Sequence, residues 1–259
     1  MVKKQRAFSV LGNIAIINFP QRYKGSKKKF AEEILKKNKA IKTVLEKSEK
    51  FAGRLRKMKT KHLAGERTKE VLYKENNCIF RFNIDDTYFS PRLSNERKEI
   101  ASNIKRNQEV LVMFAGVGPY SIVIAKNSKV KKIYSNEINR IANKYAELNI
   151  ELNKVKDKVK LIPGDIKRVA SKIKKKFDVI IMPRPQLKDT FLKEAFKLSK
   201  KGTVIYYYDF CKSDEIDSIV EKIKQEAKKS KKKIRVLNRK KAGEIAPYKY
   251  RIRIDFRII

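Results

Sequence analysis

The chain has 259 residues, of which 66 are Lys or Arg and 28 are Asp or Glu, so its formal net charge at pH 7 is +38. Positive charges at this density repel one another unless a polyanion neutralises them, so the composition favours nucleic acid as the partner. The alternative is a heat-adapted protein, but in such proteins the number of Glu residues usually rises together with the number of Lys residues. One histidine and two cysteines exclude a histidine-dependent triad and a zinc site. No apolar run reaches a membrane span and the N-terminus lacks a signal-peptide core, so we expect a cytoplasmic protein without a metal or a membrane.

The first part of the chain predicts a small α+β module. Residues 8–20 alternate and then run apolar on either side of Gly12-Asn13, which is the pattern of a β-hairpin. A helix is predicted from about Ser26 to Asn38, and further strands are predicted near residues 43–45, 63–66 and 78–82. We expect the module to span residues 1–87 and a helix to follow at 93–106, with Ser94 as its N-cap.

From about residue 109 the pattern changes to strands that alternate with Lys-rich helices. The predicted strands are residues 110–115, 132–136, 159–162, 178–182 and 203–208. Such alternation requires a parallel sheet covered on both faces, so residues 88–259 are predicted to form a doubly wound α/β domain. The last two apolar runs, 233–237 and 250–256, have no helix between them and are expected to pair antiparallel at one edge. This arrangement resembles the class I (Rossmann-like) methyltransferase fold, which is one of several doubly wound folds.

The most informative motif is the turn that follows the first of these strands. Phe114-Ala115-Gly116-Val117-Gly118 opens directly into a helix, and its glycines let the backbone pass close to a ligand that faces the free N–H groups of the helix. Glu137 follows the next strand, where α/β nucleotide-binding folds place the acid that takes the ribose hydroxyls. Pro119-Tyr120 replaces the third glycine of the dinucleotide motif, which argues against NAD and favours S-adenosylmethionine.

The carboxyl ends of the other strands supply the remaining predicted cofactor contacts, because ligands of such sheets bind there. Asp165 is placed to accept a hydrogen bond from the adenine amino group, and the alternative for this residue is a helix N-cap. Ile138 and Ile166 are expected to sandwich the ring. The predicted cofactor site therefore consists of Phe114, Ala115, Gly116, Val117, Gly118, Glu137, Ile138, Asp165 and Ile166.

Two further groups of residues are candidates for contact with a substrate. Pro183-Arg184-Pro185 ends a buried strand and holds the arginine extended over the predicted pocket, where it can stack on a base withdrawn from its own stack. The alternative is a simple stop signal for the strand. The second group precedes the predicted cofactor turn and consists of Arg92, Glu96 and Arg97. Two explanations of their spacing are equally favoured: a surface ion pair between Arg92 and Glu96, and a helix that places these side chains over the pocket.

Together these motifs resemble the archaeal and eukaryotic tRNA (guanine-N1)-methyltransferases that act on guanosine 37, the nucleotide 3′ of the anticodon. The resemblance rests on residues 88–97, 113–119 and 246–250, extends through 11–16 and 64–66, and so covers nearly the whole chain. It implies an S-adenosylmethionine-dependent catalytic domain behind a small RNA-contacting module, with a flipped guanine against the cofactor methyl group. The implied partner is the tRNA anticodon stem-loop, and we expect a monomer.

Three departures from the family pattern change these expectations. The chain begins too late to hold the additional N-terminal domain that often reads the outer corner of the tRNA, so recognition is expected to rest on the anticodon stem-loop and on charge. Val112 stands where the family usually has an acid, which leaves Glu137 as the main polar anchor. Pro183-Arg184-Pro185 replaces the usual Asn-Leu-Pro, as in the archaeal branch whose members methylate N1 of guanosine and also C7 of the tricyclic base 4-demethylwyosine.

Methylation at N1 requires removal of the N1 proton and stabilisation of negative charge on the base oxygen. We predict Glu96 as the base and Arg92, Arg97 and Arg184 as charge stabilisers, with Arg184 held by Pro183 and Pro185. Arg92 is favoured among the arginines because its Ser-Pro-Arg motif matches the family. The alternatives are a wybutosine-type 3-amino-3-carboxypropyl transferase, which uses the same fold and cofactor, and a non-catalytic RNA-binding protein, against which Glu137 and Asp165 argue.

Overall fold

The computed structural model describes residues 8–48, 55, 57–183, 189–212 and 215–259. The described part begins with the predicted hairpin, β1 (Phe8–Leu11) and β2 (Ile14–Ile17), followed by α1 (Lys27–Lys37), β3 (Thr43–Lys47) and β4 (Thr60–Gly65). These strands form a sheet in the order β1-β2-β3-β4, in which α1 connects the parallel pair β2 and β3. Ser26 caps α1 by accepting a hydrogen bond from the Lys29 N–H at 3.3 Å. The predicted hairpin and helix are therefore confirmed.

A second hairpin, β5 (Glu70–Glu75) and β6 (Cys78–Asn83), follows this sheet. The sequence analysis predicted β6 but missed β5. The first hairpin packs closely against the second, since a side-chain carbon at Gly12 would lie 1.9 Å from the carbonyl oxygen of Leu72. Gly12 also has a φ of +57°, so both its space and its backbone geometry require glycine.

The large sheet has seven strands, preceded by a short 3-10 turn at Pro91–Leu93 and by α2 (Ser94–Asn103). In chain order the elements are β7 (Glu109–Val112), α3 (Pro119–Asn127), β8 (Lys132–Glu137), α4 (Arg140–Leu152), β9 (Val159–Pro163), α5 (Ile166–Val169), β10 (Phe177–Met182), α6 (Leu192–Lys197), β11 (Ser199–Lys212), α7 (Ile216–Lys229), β12 (Ile234–Ala246) and β13 (Lys249–Ile258).

The strand order is β12-β13-β11-β10-β7-β8-β9, with five parallel strands and an antiparallel pair at one edge. This order confirms the predicted parallel sheet with its C-terminal edge hairpin. The chain runs from β7 outward through β8 and β9 and then returns to β10 on the other side of β7. That reversal opens a crevice at the carboxyl end of β7, where ligands of such sheets bind.

Two local predictions differ from the structure. Ser94 is the first residue of α2 and makes no capping hydrogen bond within that helix; its hydroxyl accepts a hydrogen bond from the Asn76 amide at 3.2 Å instead. Strand β7 ends at Val112 rather than at residue 115, because Phe114 takes a φ of +57°, which is incompatible with an extended strand.

The described residues contain no helix that is both long and apolar enough to cross a membrane. In the same part of the chain, no group of three or more His, Cys, Asp or Glu side chains is arranged to hold a metal ion.

Candidate active site

A cleft lies at the carboxyl ends of the parallel strands and encloses about 1050 Å³, the space open to solvent at its mouth included. Most of the predicted cofactor residues line it, namely Phe114, Ala115, Gly116, Glu137, Ile138, Asp165 and Ile166. Val117 is fully buried behind the wall, and Gly118 packs against Ile122, which a side-chain carbon at Gly118 would approach to 3.1 Å.

Glu137 presents a carboxylate to the cleft from the end of β8. One oxygen accepts a hydrogen bond from the Gly116 N–H at 2.8 Å, and the other accepts one from the Asn139 N–H at 2.7 Å. Burial raises the pKa of Glu137, and the hydrogen bonds from Asn139, Gly116 and Ile138 offset part of that shift. These backbone donors thus fix the carboxylate in place and leave it with further acceptor capacity toward the cleft.

The turn after β7 leaves room for a ligand. Phe114, Gly116 and Gly118 all have positive φ angles, so the backbone bends sharply before α3 begins. At Gly116 a side-chain carbon would meet only the carbonyl oxygen of Tyr88, at 3.4 Å, which leaves the cleft side of the turn open. The Phe114 ring packs edge-on against Phe191, with ring centres 4.9 Å apart, and Phe191 is a wall residue that the sequence analysis missed.

Asp165 lines the cleft and also caps α5 by accepting a hydrogen bond from the Lys167 N–H at 3.1 Å. The capping role, which the sequence left as an alternative, is therefore present in the structure. A contact with the adenine amino group stays a prediction. Ile138 and Ile166 stand on the same part of the wall, at the ends of β8 and β9.

Arg97 lines the cleft from α2, but its charge is already compensated. Its guanidinium forms a two-pronged ion pair with Glu75 at the end of β5 and donates a further hydrogen bond to the Ser90 carbonyl at 3.0 Å. Arg97 is only 1% exposed and also lies over the rings of Phe89 and Tyr120. This arrangement suits a residue that holds the cleft wall in shape.

Glu96 lies in a buried charge network behind the wall. Its carboxylate pairs with Arg253 and with Lys240, at 2.7 Å in each case, and accepts a hydrogen bond from the Tyr208 hydroxyl at 3.0 Å. The alternative of a surface ion pair between Arg92 and Glu96 is therefore wrong. Glu96 is 5% exposed and bound to strands β12 and β13, whereas Arg92 lies on the exposed side of the 3-10 turn.

Two tyrosines connect this network to the cleft. The Tyr120 hydroxyl donates to the Tyr208 hydroxyl at 3.0 Å, Tyr208 in turn donates to Glu96, and Tyr120 lines the cleft. Burial raises the pKa of Tyr120 to about 12, so this hydroxyl keeps its proton at neutral pH. A continuous chain of hydrogen bonds thus runs from the cleft wall to the Glu96 carboxylate.

Arg251 and Phe210 form a part of the wall that the sequence analysis missed. The Arg251 guanidinium lies 5.2 Å above the centre of the Phe210 ring, and Arg251 is 9% exposed. No carboxylate in the described part of the chain forms an ion pair with it. The available signal was the motif at 246–250, which ends one residue before it. Of the predicted triplet, Pro183 lines the cleft, whereas Arg184 and Pro185 lie outside the described residues.

The chain matches two protein-family models. Residues 71–237 match the TRM5/TYW2 methyltransferase domain, and residues 1–68 match the TYW2 N-terminal domain.

Individual relatives match over almost the full chain. The tRNA (guanine(37)-N(1))-methyltransferase Trm5b of Pyrococcus abyssi is 37% identical over 97% of this chain and 74% of its own length, and its crystal structure superposes with a TM-score of 0.86. The tRNA (guanine(37)-N(1))/4-demethylwyosine(37)-methyltransferase Taw22 of Nanoarchaeum equitans is 35% identical over 98% of this chain and 100% of its own. The protein in the complex structure of aTrm5 and tRNALeu has 30% sequence identity to this chain. The two structures superpose with a TM-score of 0.83, over 98% of this chain and 72% of that one.

Proposed function

This chain belongs to the TRM5/TYW2 family of S-adenosylmethionine-dependent tRNA methyltransferases, and we propose that it transfers a methyl group to N1 of guanosine 37. The observation that carries the proposal is the Glu137 carboxylate, which two backbone N–H groups hold at the edge of a cleft formed by the glycine turn. This chemistry fits a ligand with a pair of vicinal hydroxyls, such as the ribose of S-adenosylmethionine. A relative with 35% identity over 98% of this chain acts on guanosine 37 and on 4-demethylwyosine, which supports the same nucleotide as substrate here.

Each part of the cleft wall has a proposed role toward the cofactor. Glu137 accepts hydrogen bonds from the ribose hydroxyls, Ile138 and Ile166 enclose the adenine, and Asp165 accepts from its amino group. Phe114, Ala115 and Gly116 would form the floor of the cofactor site, while Val117 and Gly118 would support that floor from behind. When bound, S-adenosylmethionine supplies an electrophilic methyl group.

The proposed base is Glu96, which acts on the substrate through Tyr208 and Tyr120. A carboxylate only accepts hydrogen bonds, so Tyr208 must donate to Glu96 and Tyr120 must donate to Tyr208. The Tyr120 oxygen is then left as an acceptor. The N1 proton passes to Tyr120 as the Tyr120 proton moves to Tyr208 and the Tyr208 proton moves to Glu96, which leaves N1 with a free lone pair.

Several arginines are available to hold the negative charge that develops on the base oxygen. Arg92 and Arg184 keep their proposed roles in that task. Arg97 is proposed as a positioning residue, because Glu75 already occupies its guanidinium. Arg251 joins the group as the cleft-lining cation that has no carboxylate partner among the described residues.

The same site is proposed to accept 4-demethylwyosine and to methylate it at C7. Neither Pro183 nor Pro185 offers an amide that would fix one edge of guanine, whereas Arg184 can stack on a wider ring system. The second candidate function is transfer of the 3-amino-3-carboxypropyl group, which the match of residues 1–68 to the TYW2 N-terminal domain favours. The monomeric state and the cytoplasmic location stay predictions.

Mass spectrometry of the modified nucleoside tests these assignments. The full chain is incubated with S-adenosylmethionine and with tRNA that carries either guanosine or 4-demethylwyosine at position 37. A gain of one methyl group on both substrates is the expected result. A gain of the larger aminocarboxypropyl group would overturn methyl transfer in favour of the second candidate. Methylation of guanosine alone would contradict only the proposal that 4-demethylwyosine is a substrate.

The proton relay has its own test in Tyr208→Phe, which removes one hydroxyl from the chain and keeps the ring. General base catalysis contributes a factor of roughly 100 to 10,000, so the single-turnover rate should fall by about 100-fold or more. Tyr206→Phe on the same strand is the matched control and should react at the normal rate. An unchanged rate in Tyr208→Phe would exclude the relay.

A further inference from the structure

The turn between β12 and β13 stands at the same edge of the sheet as the cleft. In the antiparallel pairing of β13 with β11, Lys249 lies opposite Lys212, which is the last residue of β11 at its carboxyl end. Arg251, two residues into β13, lines the cleft together with Phe210 of β11. The turn at Pro247 and Tyr248 therefore projects beside the cleft mouth, on the side away from the predicted adenine contacts.

Tyr248 is the most exposed of the large hydrophobic side chains in the described residues, with 79% of its surface accessible. It also has a φ of +59° directly after Pro247. A turn that needs a positive φ after a proline normally takes glycine or asparagine, because a larger side chain is strained there. The ring therefore costs conformational energy and gains almost no packing in return. Strain of this kind is retained mainly where the side chain has a function.

Cations surround this tip. Lys212 is exposed, Lys249 is half-buried, and the ammonium group of Lys241 lies 4.4 Å above the ring of Tyr250. Among the described residues, the acidic side chains nearby are Glu244, which is paired across the hairpin with Tyr250, and Glu215, which accepts from the Lys212 N–H. An exposed aromatic ring among lysines is the combination that proteins use to bind unpaired nucleobases, since the ring stacks on the base while the cations attract the backbone.

We propose that Tyr248 stacks on an unpaired nucleobase of the anticodon loop, next to the nucleotide held in the cleft. This inference rests on the proposed function, which supplies tRNA as the substrate. A nucleobase explains the position of the ring better than a protein partner does, because the chain carries a net charge of +38 and lysines surround the tip. The hairpin holds the ring ready, so little entropy is lost on binding.

The decisive variant is Tyr248→Gly, because stability and RNA affinity are expected to change in opposite directions. Glycine relieves the positive φ, so the melting temperature should rise or stay the same, whereas a residue with a purely structural role would lower it. Affinity for an anticodon stem-loop RNA should fall by roughly 5- to 150-fold, the range for loss of one stacked base. Tyr248→Phe keeps the ring and should bind within about twofold of the natural chain.

A second RNA probe identifies the contact. With abasic sites in place of the loop nucleotides, the natural chain and Tyr248→Gly should bind equally, because no base is left for the ring. A difference that persists on the abasic probe would overturn stacking, and so would unchanged affinity of Tyr248→Gly for the intact stem-loop. Methylation of full-length tRNA by the natural chain is measured in parallel, so that its absence would count against the proposed function and not against the role of Tyr248.

Discussion

We expect the proposed contact of Glu137 with the ribose to make cofactor binding dependent on pH. Burial raises the pKa of its carboxyl group, so in the free protein it takes up a proton above the usual glutamate value of about 4.3. Ribose hydroxyls donate more strongly to the ionised carboxylate, so binding selects the deprotonated form. We expect the affinity for S-adenosylmethionine to be constant at neutral and higher pH and to decrease as the pH falls through the raised pKa. Isothermal titration calorimetry over a series of pH values measures this.

Glu137→Gln is the control for that series. The amide cannot ionise, so the affinity should be lower at neutral pH by roughly 1–3 kcal/mol and should lose its dependence on pH. A variant that binds as tightly as the natural chain, or that keeps the same pH dependence, would contradict the assignment of Glu137 to the ribose.

Arg251 gives a prediction about the chemical step. Arg251 is buried and has no carboxylate partner among the described residues, which is costly unless an anion enters beside it. Under the proposed function, negative charge on the base oxygen meets that need during the reaction. Arg251→Ala should lower the single-turnover rate on the order of 100-fold, with little effect on S-adenosylmethionine affinity. Arg239→Ala on β12, which pairs with Asp217 at the surface, is the control. Equal rates in the two variants would show that Arg251 is structural.

Two asparagines, Asn149 on α4 and Asn153 at the C-cap of that helix, form hydrogen bonds with the edge of β6 as a neighbouring strand would. Asn149 accepts from the Arg81 N–H at 2.7 Å and donates to the Arg81 carbonyl at 3.1 Å, and Asn153 makes the same pair of bonds with Ile79. Asn149 also donates to the Val117 carbonyl at 3.1 Å, in the glycine turn that lines the cleft. The β5–β6 hairpin is thereby fixed to the helix that follows Glu137, and its Glu75 holds Arg97 in the cleft wall.

Asn149→Ala should therefore be strongly destabilising. It removes the hydrogen-bond partner of the Arg81 backbone groups and of the buried Val117 carbonyl, which should lower the free energy of unfolding by about 3 kcal/mol. Leu152→Ala on the same helix removes a side chain that is 41% exposed and should change stability by less than about 0.5 kcal/mol. Urea denaturation of both variants measures the difference. A small effect in Asn149→Ala would mean that water replaces these hydrogen bonds.

The sequence predicted the elements whose patterns are local. The hairpin at Gly12-Asn13, the capped helix α1 and the alternation from β7 to β11 each follow from spacing within a short segment, and the structure confirms them. Strand β5 was missed because Leu72 is 46% exposed and charged residues bound the segment at both ends, so its apolar alternation is weak. The expected division of the chain near residue 87 stays a prediction.

The charged groups around the cleft were harder to predict because their partners are distant in sequence. Arg251-Ile252-Arg253-Ile254 has the pattern of a strand with arginines facing solvent. In the structure those arginines face the cleft and the Glu96 network, because α2 covers that side of the sheet and supplies a carboxylate 157 positions earlier in the chain. Glu75 and Arg97 come together in the same way. The backbone pattern thus predicted which strand ends line the cleft, but not which charges pair.

The net charge of +38 predicts that tRNA binding depends steeply on salt. Each phosphate that the protein neutralises releases counterions and steepens the slope of log affinity against log salt by about 0.7 to 0.9.

The small N-terminal module is expected to contribute through the exposed lysines of α1, among them Lys28, Lys29, Lys36 and Lys37. Replacing these four lysines by glutamine should lower the slope by up to roughly three units, while S-adenosylmethionine affinity, measured as the control, stays the same. Fluorescence anisotropy with labelled tRNA at increasing salt gives both slopes. A flat slope for the natural chain would show that its positive charge does not act through phosphate contacts. Equal slopes for the two proteins would show that the phosphate contacts are made by the Lys-rich helices that follow β7 and not by α1.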